Sequence, residues 1–163
     1  MDFAPHFPES EMTNSDTAAA QRPPLNNACP AELRDTLAAT SWKAEDARTI
    51  LGVPCRVNSG FRSMALNAIV AKGSNTTGVH PLALAVDILP IGMSVEAAFE
   101  ALQAATSFMM DVDQLIIENG CLHIGRPRPG QKPRHELRAD KWTNGERHYP
   151  FLGTWTPGKV IHG

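Results

Sequence analysis

His80 and Asp87 are the residues whose types and spacing first suggest chemistry in this chain. They bound the run His80-Pro-Leu-Ala-Leu-Ala-Val-Asp87, and Ala83 to Leu89 is apolar except for Asp87. Read as a strand over 84–89, this run places Leu84, Val86 and Ile88 on one face and Ala85 and Asp87 on the other. A carboxylate in such a strand loses hydration, which is costly unless a partner compensates. A metal ion would compensate, and His80 is the nearest co-ligand.

A second informative stretch is Gln114-Leu-Ile-Ile-Glu118-Asn119-Gly120-Cys121-Leu-His123-Ile-Gly125. Asn-Gly between two apolar runs predicts a hairpin with a two-residue turn. That turn sets Glu118 opposite Cys121 and Ile116 opposite His123. Leu115, Ile117, Leu122 and Ile124 then share the core face, and Glu118, Cys121 and His123 share the other. Glu118 lies one diagonal step from His123, roughly 7–8 Å away. This suits a base that serves a metal-bound water without being a ligand. Two histidines and an aspartate form an N/O set that leaves the fourth position of zinc open for water. Zinc lowers the pKa of that water to about 7, and a nearby carboxylate can move its proton to the leaving amine. Arg62 lies in the turn Asn58-Ser59-Gly60-Phe61-Arg62-Ser63. An arginine held there can grip a carboxylate with both prongs or steady a developing oxyanion.

The elements that must position these residues are legible in part. Residues 1–30 are rich in Pro, Ser, Thr and Asn, with a short apolar knot around Phe7, and most of this segment reads as loop packed on the domain surface. Pro30 and Gly52 bound a helix over 31–51, with Thr40-Ser41 as the place where it would break. A strand is predicted over 53–59. Ser63 caps a helix carrying Met64, Leu66, Ile69 and Val70 that stops at Gly73, followed by a loop over 73–79. Ser94 caps another helix, with Val95, Ala98, Phe99 and Leu102 at helical spacing. From Arg126 onward the chain has few apolar residues until Phe151. Arg126, Arg128, Lys132, Arg134 and Arg138 read as a solvated loop, and no aromatic is interleaved with them to stack on single-stranded nucleic acid.

Composition bounds the rest. The 163 residues suffice for one domain with a real core, 1–163. Hydrophobic residues at 42% and charged residues at 20% are ordinary for a soluble globular protein. A net charge of −2 advertises neither nucleic acid nor an anionic membrane as partner. Cys29, Cys55 and Cys121 match no zinc-finger spacing and read as reduced thiols. No signal peptide and no membrane span are expected from the pattern. A cytoplasmic monomer is therefore expected.

Taken singly, the candidate residues have plain structural readings as well. His80 and Asp87 can be a chance pair, and Glu118 an ordinary hairpin-end charge. Arg62 can be a helix-start residue paired with an acid, and Cys121 a small buried apolar group. His6, His135, His148 and His162 lack apolar framing and read as surface, with His148 in reserve should His123 fail.

Taken together, the motifs resemble the M15 family of zinc peptidases. The resemblance rests on Asn58-Ser-Gly-Phe-Arg62-Ser63, Leu66-Asn67, His80-x6-Asp87-Ile88, Asp113-Gln-Leu-Ile-Ile-Glu118 and Leu122-His123-Ile124, and runs from about Glu11 to Gly125. The family includes D-alanyl-D-alanine carboxypeptidases and the L-alanyl-D-glutamate endopeptidases found as phage endolysins. Glu11-Met-Thr-Asn-Ser-Asp-Thr-Ala resembles the opening of the phage-type branch. The resemblance implies an α+β fold of the Hedgehog and DD-peptidase kind, with a small central antiparallel sheet flanked by helices. It implies Zn2+ held by His80, Asp87 and His123, with Arg62 binding substrate. Glu118 matches a glutamate at the end of the preceding strand in the phage-type branch. The chain departs from the family at Gly78, where serine is usual, at Ala83, where glycine is usual, at Gly120, where many members have an acid, and at Leu122, where an aromatic is common. The expected activity is hydrolysis of peptidoglycan stem peptides by a phage or prophage lysis enzyme that reaches the wall after release. The competing readings are a D-Ala-D-Ala carboxypeptidase and a non-catalytic wall-binding or virion protein.

Overall fold

The computed structural model describes residues 1–71, 78–143 and 145–163. Its helices are α1 Glu9–Met12, α2 Asp16–Ala20, α3 Arg34–Leu51, α4 Met64–Val70, α5 Val95–Ala104 and α6 Thr106–Met109. Its strands are β1 Cys55–Ser59, β2 Ala85–Pro90, β3 Gln114–Glu118, β4 Cys121–Gly125, β5 Glu136–Ala139, β6 Lys141–Thr143, β7 Glu146–His148 and β8 Phe151–Thr154. One sheet has the order β1-β2-β4-β3-β5-β8, antiparallel throughout except where β5 joins β3. The fold is α+β, as expected. No helix among the described residues is long and apolar enough to cross a membrane.

The core forms where the inward sides of β2, β3 and β4 meet α3 and α5. Val86, Ile88, Leu115, Leu122 and Ile124 are fully buried there with Leu37, Phe99 and Leu102. Helix α3 runs through Thr40 and Ser41 without a break. Both side chains are buried but satisfied: Thr40 Oγ1 donates to Thr36 O and Ala83 O, and Ser41 Oγ donates to Ala38 O and accepts from Ala4 N. Hydroxyls that bond back along the helix need not disrupt it. The Thr40 contact also ties α3 to the chain entering β2. The predicted stop at Gly73, and most of the loop after it, lie outside the described residues.

The chain ends are held more firmly than their sequences suggest. Most of residues 1–30 is loop, as expected, but Phe7 and Met12 are fully buried in the core, and the short helices α1 and α2 form in this segment. Burial of these two side chains offsets the poor propensity of such short helices. The basic stretch is loop over 126–135, with Arg128, Lys132 and Arg134 exposed as expected, but Arg138 lies on β5 and several of these side chains are tied to the domain. Arg134 binds the buried Asp113 through two nitrogens and reaches Glu136. Arg138 pairs with Glu136 and lies over Phe151. Arg126 turns inward to Thr36 O and Thr40 Oγ1. The tail is fastened by Gln103, whose side chain exchanges two hydrogen bonds with the backbone of Ile161, while Trp155 Nε1 donates to Gln103 O.

Candidate functional site

The chemistry-bearing residues lie in one row across the sheet. Ser59 on β1 pairs with Asp87 on β2, Asp87 pairs with His123 on β4, and His123 pairs with Ile116 on β3. The hairpin supplies His123 in the predicted register: Glu118 faces Cys121, and Asn119 and Gly120 have φ of 52° and 73°. Both positive values belong to the tight turn whose twist matches the strands. Gly125 follows two positions after His123, where an added Cβ would press within 3.3 Å of His123 Nε2. His80 arrives from a 3₁₀ turn, His80–Leu82, that feeds β2. The turn ends at Ala83, with φ 58° and its methyl in the core. This is the left-handed conformation that glycine adopts without strain, so Ala83 carries a backbone strain there that a glycine would not.

The side chains converge. His123 Nδ1 lies 2.9 Å from Asp87 Oδ1, and His80 Nε2 lies 3.3 Å from the same oxygen. The two imidazoles meet edge-on at 5.2 Å between ring centres. All three residues are buried, and each offers a ligand atom within 4.8 Å of the others. His80 Nδ1 bonds to Gly60 O at 2.7 Å, so it carries the proton and leaves Nε2 with a lone pair. That Nε2 is buried and has no hydrogen-bond partner. An orphaned, buried imidazole nitrogen beside a carboxylate and a second imidazole fits a zinc ion, whose protein ligands are of these types. Among the described residues this is the group of His, Cys, Asp and Glu side chains placed to hold a metal.

Charge explains how Asp87 survives burial. Desolvation works to raise its pKa, but the two neighbouring imidazoles outweigh it and hold the carboxyl well below the usual range. Arg62 adds a direct bond from Nη2 to Asp87 Oδ2 at 2.7 Å, while Nε donates to Ser59 Oγ at 2.7 Å. Burial opposes protonation of His123, yet its bond to Asp87 and that charge raise its pKa. Glu118 and Arg62 line one cleft of about 330 Å³ together with Asp87, Asn58, Cys121 and Ser15 to Thr17. Burial, then the charge of Asp87, raises the pKa of Glu118. The Cys121 thiol is pushed up to about 12 by burial, Asp87 and Glu118, so it sits there as an inert thiol.

His80, Asp87, His123, Arg62 and Glu118 are thus brought to one place. His148 is not: it is largely exposed and approaches Glu146 at 4.0 Å. His6 is half exposed against Glu45, and His162 is exposed against Glu100. His135, expected at the surface, is half-buried against Trp155. The residues that sequence reasoning missed are those gripping the Arg62 turn. Phe61 N donates to Met12 O at 2.8 Å. Asn27 donates to Thr13 O and Phe61 O and accepts from Ser63 N. A Cβ at Gly60 would run into the Met12 carbonyl, so the turn needs a glycine where the two chains touch. The one sequence signal was Gly60 itself, which marks a close backbone approach without naming the partner.

No curated protein matches the chain. A family model described as Peptidase M15 matches residues 5–124, a span that contains His80, Asp87, His123, Arg62 and Glu118. With the match covering well over half of its length, the chain belongs to the peptidase M15 family.

Proposed function

We propose that the chain is a zinc-dependent peptidase that hydrolyses peptide bonds in peptidoglycan stem peptides, acting on the wall after release as phage-type lysis enzymes do. One observation carries the reading: in a peptidase family, two imidazoles and a carboxylate converge in a buried site where His80 Nε2 lacks a partner. His80 Nε2, Asp87 Oδ1 and His123 Nδ1 would hold the ion. A zinc ion bound there supplies an activated water and polarises the scissile carbonyl.

The chain's own residues do the remaining work. Gly60 O fixes the tautomer of His80, and Arg62 steadies Asp87 from its second oxygen. The guanidinium hydrogens of Arg62 that are not used on Ser59 and Asp87 meet the negative charge that develops on the carbonyl oxygen. Glu118 takes a proton on its carboxylate and returns it to the leaving amine. Its raised pKa helps it to do both, since burial makes it a better base than an exposed glutamate.

The test joins metal analysis to product analysis. Protein purified without chelator should carry about one zinc per chain, and His80→Ala and Asp87→Ala should each lose most of it. Mass analysis of fragments from defined peptidoglycan should show cuts at stem-peptide bonds. Wild-type zinc in both variants, or wall material left intact by the loaded enzyme, would overturn the reading.

A further inference from the structure

The turn from Gly60 to Ser63 makes two contacts on which the site depends. Gly60 O holds His80 Nδ1, and Arg62 holds Asp87, each at 2.7 Å. The turn itself belongs to neither helix nor strand. Its anchors come from the N-terminal segment. Asn27 Nδ2 donates to Thr13 O at 2.8 Å and to Phe61 O at 3.0 Å, and Asn27 Oδ1 accepts from Ser63 N at 2.7 Å. The residue is 8% exposed. One carboxamide thus uses both N–H groups and its oxygen to join two distant pieces of backbone. Between Thr13 and Asn27 the chain carries Ser15, Asp16 and Thr17, which line the cleft.

We propose that Asn27 is a positioning residue that sets both the metal centre and the cleft wall facing it, through the Gly60–Ser63 turn. The proposal rests on the metal-centre reading above. Without the carboxamide, the buried carbonyl of Phe61 and the part-buried Thr13 O and Ser63 N lose this partner, and such groups move toward other partners or water. A shift of the turn carries Gly60 O away from His80 and the Arg62 fork away from Asp87. Contacts of this outer kind set ligand orientation, and their loss typically costs about 10–100-fold in metal affinity. A residue that only stabilised the fold would leave the affinity of the folded protein unchanged.

Asn27→Ala and Asn27→Asp test this, with the exposed neighbour Asn26→Ala as control. Asp keeps an acceptor for Ser63 N but sets an oxygen against two carbonyls. Zinc affinity is read by competition with a chromophoric chelator, and ligand geometry by the visible spectrum of the cobalt-loaded protein, below every variant's melting midpoint. Both Asn27 variants should bind zinc at least about tenfold more weakly and show a shifted cobalt band, while Asn26→Ala matches wild type. If Asn27→Asp fails to fold, Asn27→Ala, which adds no repulsive oxygen, decides the matter. Wild-type affinity and spectrum with only a lowered midpoint would make Asn27 a stabiliser and overturn the proposal. Failure of the wild-type protein to bind either metal would instead overturn the metal-centre reading itself.

Discussion

The two ends of the chain look alike in sequence and hold different things in place. Residues 1–30 and 126–163 are both rich in turn formers and poor in apolar residues. The first end buries Phe7 and Met12 and uses Met12, Thr13 and Asn27 to grip the turn that touches His80 and Asp87. The second adds β5 and β8 beyond β3 and fastens itself to α5 through Gln103. It touches the cleft's edge where Asp140 Oδ2 accepts from Asn119 N, and the Tyr149 phenol is pushed up first by burial and then by the charge of Glu118. The family match takes in almost all of the first end and none of the second. Burial at the first end is coupled to the geometry of the site, whereas burial at the second supports the sheet that carries it.

The largest effect expected is a pair of core truncations that separates these two kinds of burial. Met12 and Leu137 are both fully buried, so Met12→Ala and Leu137→Ala should each cost about 2–5 kcal/mol by denaturant unfolding. Zinc affinity, measured where both remain folded, should fall in Met12→Ala alone. Equal affinity in the two variants would break the comparison.

Glu118 stands at the seam, at the end of β3, and sharpens where the chemistry stops. Glu118→Gln should keep zinc and fold while kcat falls about 10²-fold or more. A near wild-type rate would move the base elsewhere. The same variant has a pH signature in chelator-treated protein. A carboxyl whose folded pKa is raised binds its proton more tightly when folded. Its contribution is therefore present below its ordinary value of 4.5 and lost as pH rises through the folded value. Replacing Glu118 by Gln should raise the melting midpoint relative to wild type more at pH 7 than at pH 4. An equal gap at both would show that burial does not act on this carboxylate.

Arg62→Lys is the smallest of the three. An ammonium cannot span Ser59 Oγ and Asp87 Oδ2 as the planar fork does. Activity should fall about tenfold, roughly 1.4 kcal/mol of transition-state stabilisation, with one zinc retained. An unchanged rate would confine Arg62 to a structural part and place it with the supports rather than the chemistry.

What was legible in the sequence follows from how local each signal is. Asn119-Gly120 fixes a turn and a register within the hairpin, so the partners of Glu118 and His123 could be read directly. The alternation around Asp87 placed that carboxylate away from Val86 and Ile88 for the same reason. The short helices α1 and α2 could not be read, because four or five residues do not make a stable helix without the core that Met12 enters. Strands β5 and β8 were missed because each has four residues, and β8 bears an exposed Phe151 and a glycine. Asn27 was invisible, since nothing local distinguishes it from Asn26 next door.

The row of Ser59, Asp87 and His123 across the sheet has a consequence for folding itself. Side chains alternate along a strand, so a slip of β2 by one residue would exchange faces for all of them. Asp87 would then enter the apolar layer now filled by Val86 and Ile88, where an unpaired charge costs several kcal/mol, while His80 and Arg62 would lose their carboxylate. Misaligned chains are thus penalised at the very position proposed to bind metal. His123 lies 36 residues beyond Asp87 in sequence, so their meeting is reached only once the distant strands have aligned correctly. The same carboxylate that gathers the site's donors therefore proofreads the assembly of the sheet.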